Sequence, residues 1–169
     1  MMQGKAYLFV VAVILGMSSC LKRTEYPPEP QIDFREFNIN GDNTAELVIG
    51  FIDGDGDIGL DQEDTTGVFC YDTCLYHWNL FLEYYELQNG NWVHYPIDWT
   101  DPNAIPFYYR VPDVTPTGQN PALVGEIAVD LVAYFLDISE FDTARFEVTL
   151  VDRSLNVSNT VRTRSFLKP

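Results

Sequence analysis

Basic residues, histidine and cysteine are all scarce in this chain of 169 residues. It has 10 Lys and Arg against 25 Asp and Glu, and its formal net charge is −15 at pH 7. Such a surface repels the phosphate backbones of DNA and RNA, so we expect no nucleic-acid partner. The only histidines are His77 and His94, and no Ser/His/Asp spacing or phosphate-binding glycine loop is present. We therefore expect a protein that is not an enzyme.

The chain also lacks an apolar run long enough for a comfortable membrane span of about 20 residues. The apolar run at residues 6–15 follows Lys5 and leads into residues 16–20, Gly-Met-Ser-Ser-Cys. A charged start, a short apolar core and small residues before a cysteine are typical of a lipoprotein signal peptide. We expect residues 1–19 to be removed and Cys20 to be the acylated N-terminus. The alternative is ordinary secretory cleavage, which would leave Cys20 for a disulfide.

Residues 20–30 contain three prolines within four residues, at positions 27, 28 and 30. Proline-rich segments are extended and semi-rigid. We therefore predict that residues 20–30 are a tether that holds the folded body away from the bilayer. The membrane is then a partner through the N-terminal lipid. The residues that follow Cys20 are basic, and they leave open which face of the membrane the protein occupies.

The remaining residues, 31–169, are enough for a single domain with a proper hydrophobic core. Apolar and polar residues alternate at 126–131 and at 145–150, and Asn89-Gly90 is a strong hairpin turn. The predicted strands are 32–39, 44–53, 78–88, 91–97, 106–111, 122–132, 144–151 and 160–167. This pattern predicts an all-β fold, an antiparallel immunoglobulin-like sandwich of seven or eight strands, with a short β-barrel as the alternative.

The most informative segment is residues 53–64, Asp-Gly-Asp-Gly-Asp-Ile-Gly-Leu-Asp-Gln-Glu-Asp, which we call the acidic loop. Like charges this close repel each other by about 1 kcal/mol per pair even in water. Glycine lets the backbone turn so that the side chains converge, and carboxylate oxygens on short loops are ligands that Ca²⁺ prefers. The alternative is a solvated acidic turn without an ion, since Asp-Gly also favours turns.

The acidic loop partly matches the twelve-residue EF-hand calcium loop. Its aspartates take the first, third, fifth, ninth and twelfth positions, and a glycine carbonyl takes the seventh. Ile58 stands where the EF-hand needs glycine, and a strand pattern precedes the loop, so we predict a Ca²⁺ site on a β scaffold. The predicted ligands are Asp53, Asp55, Asp57, Gly59, Asp61 and Asp64, with Glu63 as a competitor.

Residues 152–159, between the last two predicted strands, are a further source of oxygen ligands. In an immunoglobulin-like sandwich this connection lies at the same end as the one that contains the acidic loop. Asp152 and Asn156 are therefore expected either to approach the acidic loop or only to cap their own tight turn.

Cys70 and Cys74 are the only cysteines after Cys20. An even pair in an oxidising compartment predicts a disulfide, provided that the chain turns tightly between the two residues. The alternative is a zinc site with His77, for which the sequence offers no fourth ligand.

The chain resembles a group of short, mostly uncharacterised Bacteroidetes lipoproteins. The resemblance rests on the strand that runs into residues 53–60, on residues 79–86, Asn-Leu-Phe-Leu-Glu-Tyr-Tyr-Glu, and on residues 151–159. In the last segment Ser154 and Leu155 depart from the usual Ala-Gly of the group. The resemblance implies a lipoprotein of the outer membrane with the acidic loop on an immunoglobulin-like sandwich.

Two functions agree with these features. The first is a calcium-binding, lipid-anchored envelope protein that acts as a structural or binding module, with another envelope protein or a glycan as partner. The second is a carbohydrate-binding accessory lipoprotein of an outer-membrane glycan-uptake system, in which aromatic rings stack on sugars. The aromatic candidates are Trp78, Trp92, Trp99, Tyr84, Tyr85, Tyr108 and Tyr109. Core packing is the alternative role of these rings.

Overall fold

The computed structural model describes residues 25–71, 74–98, 100–101, 104, 107–115 and 122–169. The expected signal peptide, Cys20 and Trp99 lie outside the described residues. The described part of the chain contains no helix with the length and apolar character that a membrane crossing requires.

The described part of the chain contains nine strands and two short 3-10 turns, Gly67–Phe69 and Leu75–His77. The strands are β1 (Gln31–Ile39), β2 (Ala45–Asp53), β3 (Leu80–Gln88), β4 (Asn91–Tyr95), β5 (Tyr108–Tyr109), β6 (Leu123–Leu131), β7 (Thr143–Leu150), β8 (Val161–Arg162) and β9 (Phe166–Leu167). The all-β prediction is confirmed. The first seven predicted strands correspond to β1 to β7, and their ends agree within two residues.

The eighth predicted strand, 160–167, is interrupted and forms β8 and β9. At the interruption, Thr163 N donates to Phe146 O, and Phe146 N donates to Thr163 Oγ1, both at 3.0 Å. The threonine hydroxyl thus replaces a main-chain acceptor opposite β7. Because threonine also favours strands, the sequence pattern predicted one continuous strand here.

The strands form two antiparallel sheets. The first sheet has the order β1-β2-β6, and the second has the order β4-β3-β7-β8, with β5 paired to β3 and β9 paired to β7. β1, β2 and β6 occupy the A, B and E positions of an immunoglobulin-like sandwich, while β4, β3, β7 and β8 occupy C′, C, F and G. The structure therefore confirms the predicted immunoglobulin-like sandwich.

The hydrophobic core lies between the two sheets and follows the alternation in the sequence. On β7, Phe146, Val148 and Leu150 are fully buried, whereas the residues between them are half-buried on the outer face. Burying a side chain of this size contributes about 1.5–3 kcal/mol. The ring of Phe146 contacts those of Phe37, Tyr84, Phe107 and Phe166.

Asn79 organises the end of the sandwich that carries the acidic loop. It is 2% exposed and lies just before β3. Its Oδ1 accepts a hydrogen bond from Val111 N at 2.6 Å, and its main-chain oxygen accepts one from Val151 N at 2.8 Å. One buried polar residue thereby links the start of β3 to the end of β7 and to the segment that follows β5.

At the opposite end of the second sheet, β3 carries the fully buried Glu86. Lys168 Nζ donates to Glu86 Oε1 at 2.8 Å, and the side chain of Lys168 is 8% exposed. The hydroxyl of Ser139 donates to the other carboxylate oxygen. A buried carboxylate is tolerated here because it is both paired and hydrogen-bonded.

We expect Lys168→Ala to lower the free energy of unfolding by about 3–5 kcal/mol, because removal of one partner leaves the other charge buried and unpaired. Chemical denaturation at neutral pH measures this change. Arg164→Ala is the matched control, since it removes a positive charge from an exposed position in the same segment and should cost less than about 0.5 kcal/mol. Equally small effects of the two substitutions would contradict the structural role of Lys168.

Candidate metal centre

Four carboxylates converge at the end of the sandwich that Asn79 organises. Asp53, Asp55 and Asp57 come from the acidic loop, and Asp152 comes from the connection that follows β7. Each offers one oxygen, and these oxygens all lie within 4.8 Å of one another. We call this group the aspartate cluster. The structure thus brings together the first three predicted ligands and adds Asp152, which the sequence left open.

The aspartate cluster is buried on one side and open on the other. Asp53 is 0% exposed and Asp152 is 1% exposed, whereas Asp57 is half-buried and Asp55 is exposed. Asp53 is the last residue of β2 in the first sheet, and Asp152 follows β7 of the second sheet. The cluster therefore spans the two sheets, with its solvent side at Asp55.

Two oxygens of the aspartate cluster are buried without a hydrogen-bond partner among the described residues, Asp53 Oδ1 and Asp57 Oδ1. The second oxygen of each carboxylate is hydrogen-bonded. Asp53 Oδ2 accepts from Ile58 N at 3.2 Å, and Asp57 Oδ2 accepts from Ser154 N at 3.1 Å and from its hydroxyl at 2.7 Å. A buried acceptor without a partner costs about 1–3 kcal/mol, and more when it is charged. A bound cation would satisfy both oxygens.

The electrostatics of the aspartate cluster also indicate missing positive charge. Burial is the main cause that raises the pKa of Asp53 from 3.8 to about 7; the hydrogen bond that Asp53 can make to Asp55 once it is protonated, and the negative charge of Asp55, raise it further. Burial likewise raises the pKa of Asp152, although hydrogen bonds from Asn156 oppose this effect. Without a cation, Asp53 therefore keeps its proton to near neutral pH, and Asp152 ionises less readily than an exposed aspartate.

Asp152 has both of the roles that the sequence offered as alternatives. Its Oδ1 accepts from Asn156 N at 2.7 Å and its Oδ2 accepts from Asn156 Nδ2 at 2.8 Å, so it caps its own turn. The same carboxylate belongs to the aspartate cluster. Asn156 thus orients Asp152 toward a fixed position. Between them, Leu155 has a φ of 67°, a conformation that favours glycine.

The other predicted ligands face Arg153 instead of the aspartate cluster. Arg153 Nη2 lies 3.0 Å from Asp113 Oδ2, 3.6 Å from Asp64 Oδ2 and 3.9 Å from Asp61 Oδ2. It also donates to Gly59 O at 3.4 Å. The sequence assigned Gly59, Asp61 and Asp64 to the seventh, ninth and twelfth positions of an EF-hand-like shell, whereas the structure places all three beside Arg153. The reason is that an arginine distant in sequence neutralises this half of the acidic loop.

Glu63, the competing candidate, is exposed and lies outside the aspartate cluster. The backbone around it is held by Arg110, whose Nη2 donates to Asp61 O at 2.5 Å and to Asp64 O at 2.9 Å. Arg110 Nη1 also donates to His77 O at 2.8 Å. This arginine connects the acidic loop to the segment before β3.

The middle of the acidic loop packs closely against the chain after β5. Gly59 has a φ of 99°, and a Cβ atom there would lie 2.1 Å from Pro112 O. Leu60 N donates to Val111 O at 2.9 Å. Only glycine allows both this backbone conformation and this close approach. The EF-hand loop has its glycine one residue earlier, at the position of Ile58. Here packing against Pro112 requires the glycine at position 59.

Cys70 and Cys74 form the predicted disulfide, with Cα atoms 5.2 Å apart. Both sulfur atoms are therefore used, which overturns the zinc alternative with His77. His77 Nδ1 instead lies 3.4 Å from Phe69 O. The disulfide closes a small ring in the connection between β2 and β3, next to the acidic loop.

The aromatic residues considered for sugar binding do not form a flat exposed row among the described residues. Tyr84 is 2% exposed and belongs to the core. The guanidinium of Arg145 lies 4.1 Å from the ring centroid of Trp92 and covers one of its faces. The phenol of Tyr108 donates to Glu83. In this region the rings mainly serve packing and side-chain contacts.

The fold and the site define an immunoglobulin-like sandwich with a cluster of four aspartates that can hold a metal ion. All four donors are carboxylates, which suit hard cations better than soft ones. Comparisons of the chain with models of protein families, with curated proteins and with solved structures find no match. The interpretation of the site therefore rests on its own geometry and charge.

Without metal, Asp53 should make the fold less stable as the pH rises from about 4 to about 7. In this window the folded state keeps a proton on Asp53 that the unfolded state, with a pKa near 3.8, has lost. We expect Asp53→Asn, which stays neutral, to match the wild type near pH 4 and to exceed its free energy of unfolding at pH 8. Urea denaturation with a chelator present measures both. A difference that is the same at both pH values would contradict the raised pKa.

Proposed function

We propose that this protein is a calcium-binding, non-enzymatic module of the cell envelope, anchored to the outer membrane by an N-terminal lipid. The observation that carries the proposal is the aspartate cluster, in which the fully buried Asp53 has an oxygen without a hydrogen-bond donor among the described residues. A cation between the carboxylates would remove both their mutual repulsion and this unmet hydrogen-bonding need.

The size and chemistry of the cluster favour Ca²⁺. Ligands lie 2.3–2.6 Å from Ca²⁺, so ligands on opposite sides of the ion are about 4.6–5.2 Å apart. Four oxygens that all lie within 4.8 Å of one another fit within one such shell. The exposed side at Asp55 leaves room for water, and Ca²⁺ takes 6–8 oxygen ligands in flexible geometry. The absence of cysteine and histidine from the cluster disfavours Zn²⁺.

In this proposal the ion has a structural role. Asp53 belongs to the first sheet, while Asp152 lies two residues after the end of β7 in the second sheet. An ion bound by both would join the two sheets at one end of the sandwich. The histidines lie elsewhere, with His94 Nε2 2.6 Å from Glu83 Oε2 and His77 near Phe69 O. This arrangement supports ion binding rather than catalysis.

The lipid anchor is supported by the sequence of residues 1–20 and by the tether that follows. The glycan-binding alternative has less support, because Tyr84 is buried and Arg145 covers one face of Trp92. Because the lipid would hold the protein at the membrane, we expect its binding partner to be another component of the envelope.

Calcium should bind to the folded protein and raise its stability, by about 2.7 kcal/mol when its concentration is a hundred times the dissociation constant. Calorimetry and thermal melting with calcium or with chelator measure the effect. Asp55→Ala should abolish binding, and because Asp55 is exposed, its loss opens no cavity in the core.

Asp61→Ala is the matched control for this experiment. It also removes one carboxylate from the acidic loop, but the structure places Asp61 near Arg153 and outside the aspartate cluster. We expect it to retain calcium binding. Identical melting curves with calcium and with chelator in the wild type, together with no heat of binding, would refute the calcium site.

Cys20→Ser should move the protein from the membrane fraction to the soluble fraction, because it removes the residue that carries the acyl chains. Fractionation with immunodetection measures this, and mass spectrometry of the wild type should find a lipidated Cys20 at the N-terminus. The double substitution Cys70→Ser and Cys74→Ser is the control, since it removes the disulfide and should leave the protein in the membrane fraction. A mature chain that begins elsewhere would exclude the anchor.

A further inference from the structure

The N-terminal segment that precedes β1 lies directly on the acidic loop. Gly54 N donates a hydrogen bond to Pro27 O at 3.0 Å. A Cβ atom at Gly54 would lie 2.3 Å from Tyr26 O and 2.4 Å from Pro27 O. Contacts this short are not found for real Cβ atoms, so the segment approaches the loop more closely than any side chain at this position would allow.

This contact involves the backbone of the aspartate cluster itself. Gly54 lies between Asp53 and Asp55, two members of the cluster. The amide that holds Pro27 therefore belongs to the same short turn that positions two of the four carboxylates. A rearrangement of these carboxylates that moves the backbone of the turn also changes the direction of the Gly54 N–H group.

The chain from β1 onward is fixed independently of the acidic loop. Ile32 N donates to Asn159 Oδ1 at 2.9 Å, and Asn159 Nδ2 donates to Ile32 O at 2.8 Å. Ile32 also pairs with Phe51 of β2. Residues 25–30 precede this attachment and include Pro27, Pro28 and Pro30, which have no N–H to donate. Because these prolines can only accept main-chain hydrogen bonds, the segment contacts the loop through a carbonyl, Pro27 O, which accepts from Gly54 N.

We propose that the acidic loop is a docking surface for this chain's own N-terminal tether, and that a cation bound by the aspartate cluster controls the docking. The inference rests on the proposed calcium site and assigns that site a further role. With the ion bound, the carboxylates converge and the Gly54 N–H points at Pro27 O. Without it, repulsion among Asp53, Asp55 and Asp57 spreads the turn and weakens the contact.

The consequence is a tether whose free length depends on calcium. When the segment is docked, the free tether ends near residue 25, and when it is released, the free tether ends at β1. The difference is about six residues, or roughly 20 Å in extended chain. The prolines keep the released segment extended, so the body could move away from its anchor by much of this distance.

A nitroxide label at position 25 tests the docking. It is attached to Glu25→Cys in the chain of residues 20–169 with Cys20→Ser, in which Cys70 and Cys74 remain in their disulfide. Electron paramagnetic resonance should show a restricted label with 1 mM calcium and a mobile label with chelator. Asp55→Ala, which removes a carboxylate of the cluster and with it the ion site, should give a label whose mobility is the same in both solutions.

Gly54→Ala separates tether docking from ion binding. The added methyl group collides with the carbonyls of Tyr26 and Pro27, whereas all four carboxylates of the cluster are retained. The label should be mobile with calcium, and calorimetry should still detect calcium binding. Because coupling is reciprocal, the affinity for calcium should fall by the same factor by which calcium strengthens docking. Gly41→Ala is the matched control, since nothing lies within 4 Å of a Cβ atom there, and it should behave as the wild type.

The outcomes distinguish the two proposals. If calorimetry detects calcium binding but the label has the same mobility with calcium and with chelator, the docking inference is wrong and the calcium site remains. A restricted label in Gly54→Ala with calcium would also refute the docking inference. If no calcium binds to the wild type, both proposals are wrong.

Discussion

The mutual repulsion of four aspartates at one end of the sandwich is the constraint on which the rest of this structure depends. Asp53 ends a strand of the first sheet and Asp152 follows a strand of the second, so their repulsion acts to separate the two sheets. Hydrogen bonds oppose it, including the main-chain bond from Arg153 N to Asp57 O at 3.2 Å and the two bonds from Ser154 to the Asp57 carboxylate. A cation at the cluster would turn the same four charges into a link between the sheets.

The charges of the acidic loop are divided between two kinds of partner. Arg153 lies near Asp61, Asp64 and Asp113, whereas none of the ion pairs found in the described ranges reaches the aspartate cluster. Adjacent residues of one turn achieve this division, because Asp152 points to the cluster and Arg153 points to the other acids. The chain thus supplies its own positive charge to one half of the loop. The other half retains an excess of negative charge that suits an external ion.

Much of the fold could be predicted from local pattern, because alternation of apolar and polar residues reports which side chains face a core between two sheets. The convergence of Asp53, Asp55 and Asp57 could be predicted as well, since the alternating glycines make it a local property. The roles of Asp61 and Asp64 could not, because they depend on Arg153, which is distant in sequence. The break at Thr163 was equally hidden, since it depends on one hydroxyl that replaces a main-chain acceptor.

Two fully buried carboxylates, Glu86 and Asp53, allow a comparison within the same molecule. Glu86 has Lys168 Nζ at 2.8 Å and further hydrogen bonds, so the chain itself provides what a buried charge needs. Asp53 has one hydrogen bond from Ile58 N, an unpartnered oxygen within the described part of the chain, and three other carboxylates around it. A buried charge must be paired, hydrogen-bonded or neutralised. The chain supplies the compensating charge itself at Glu86, whereas at Asp53 it leaves neutralisation to a proton at low pH or to a cation that the cluster could hold near neutral pH.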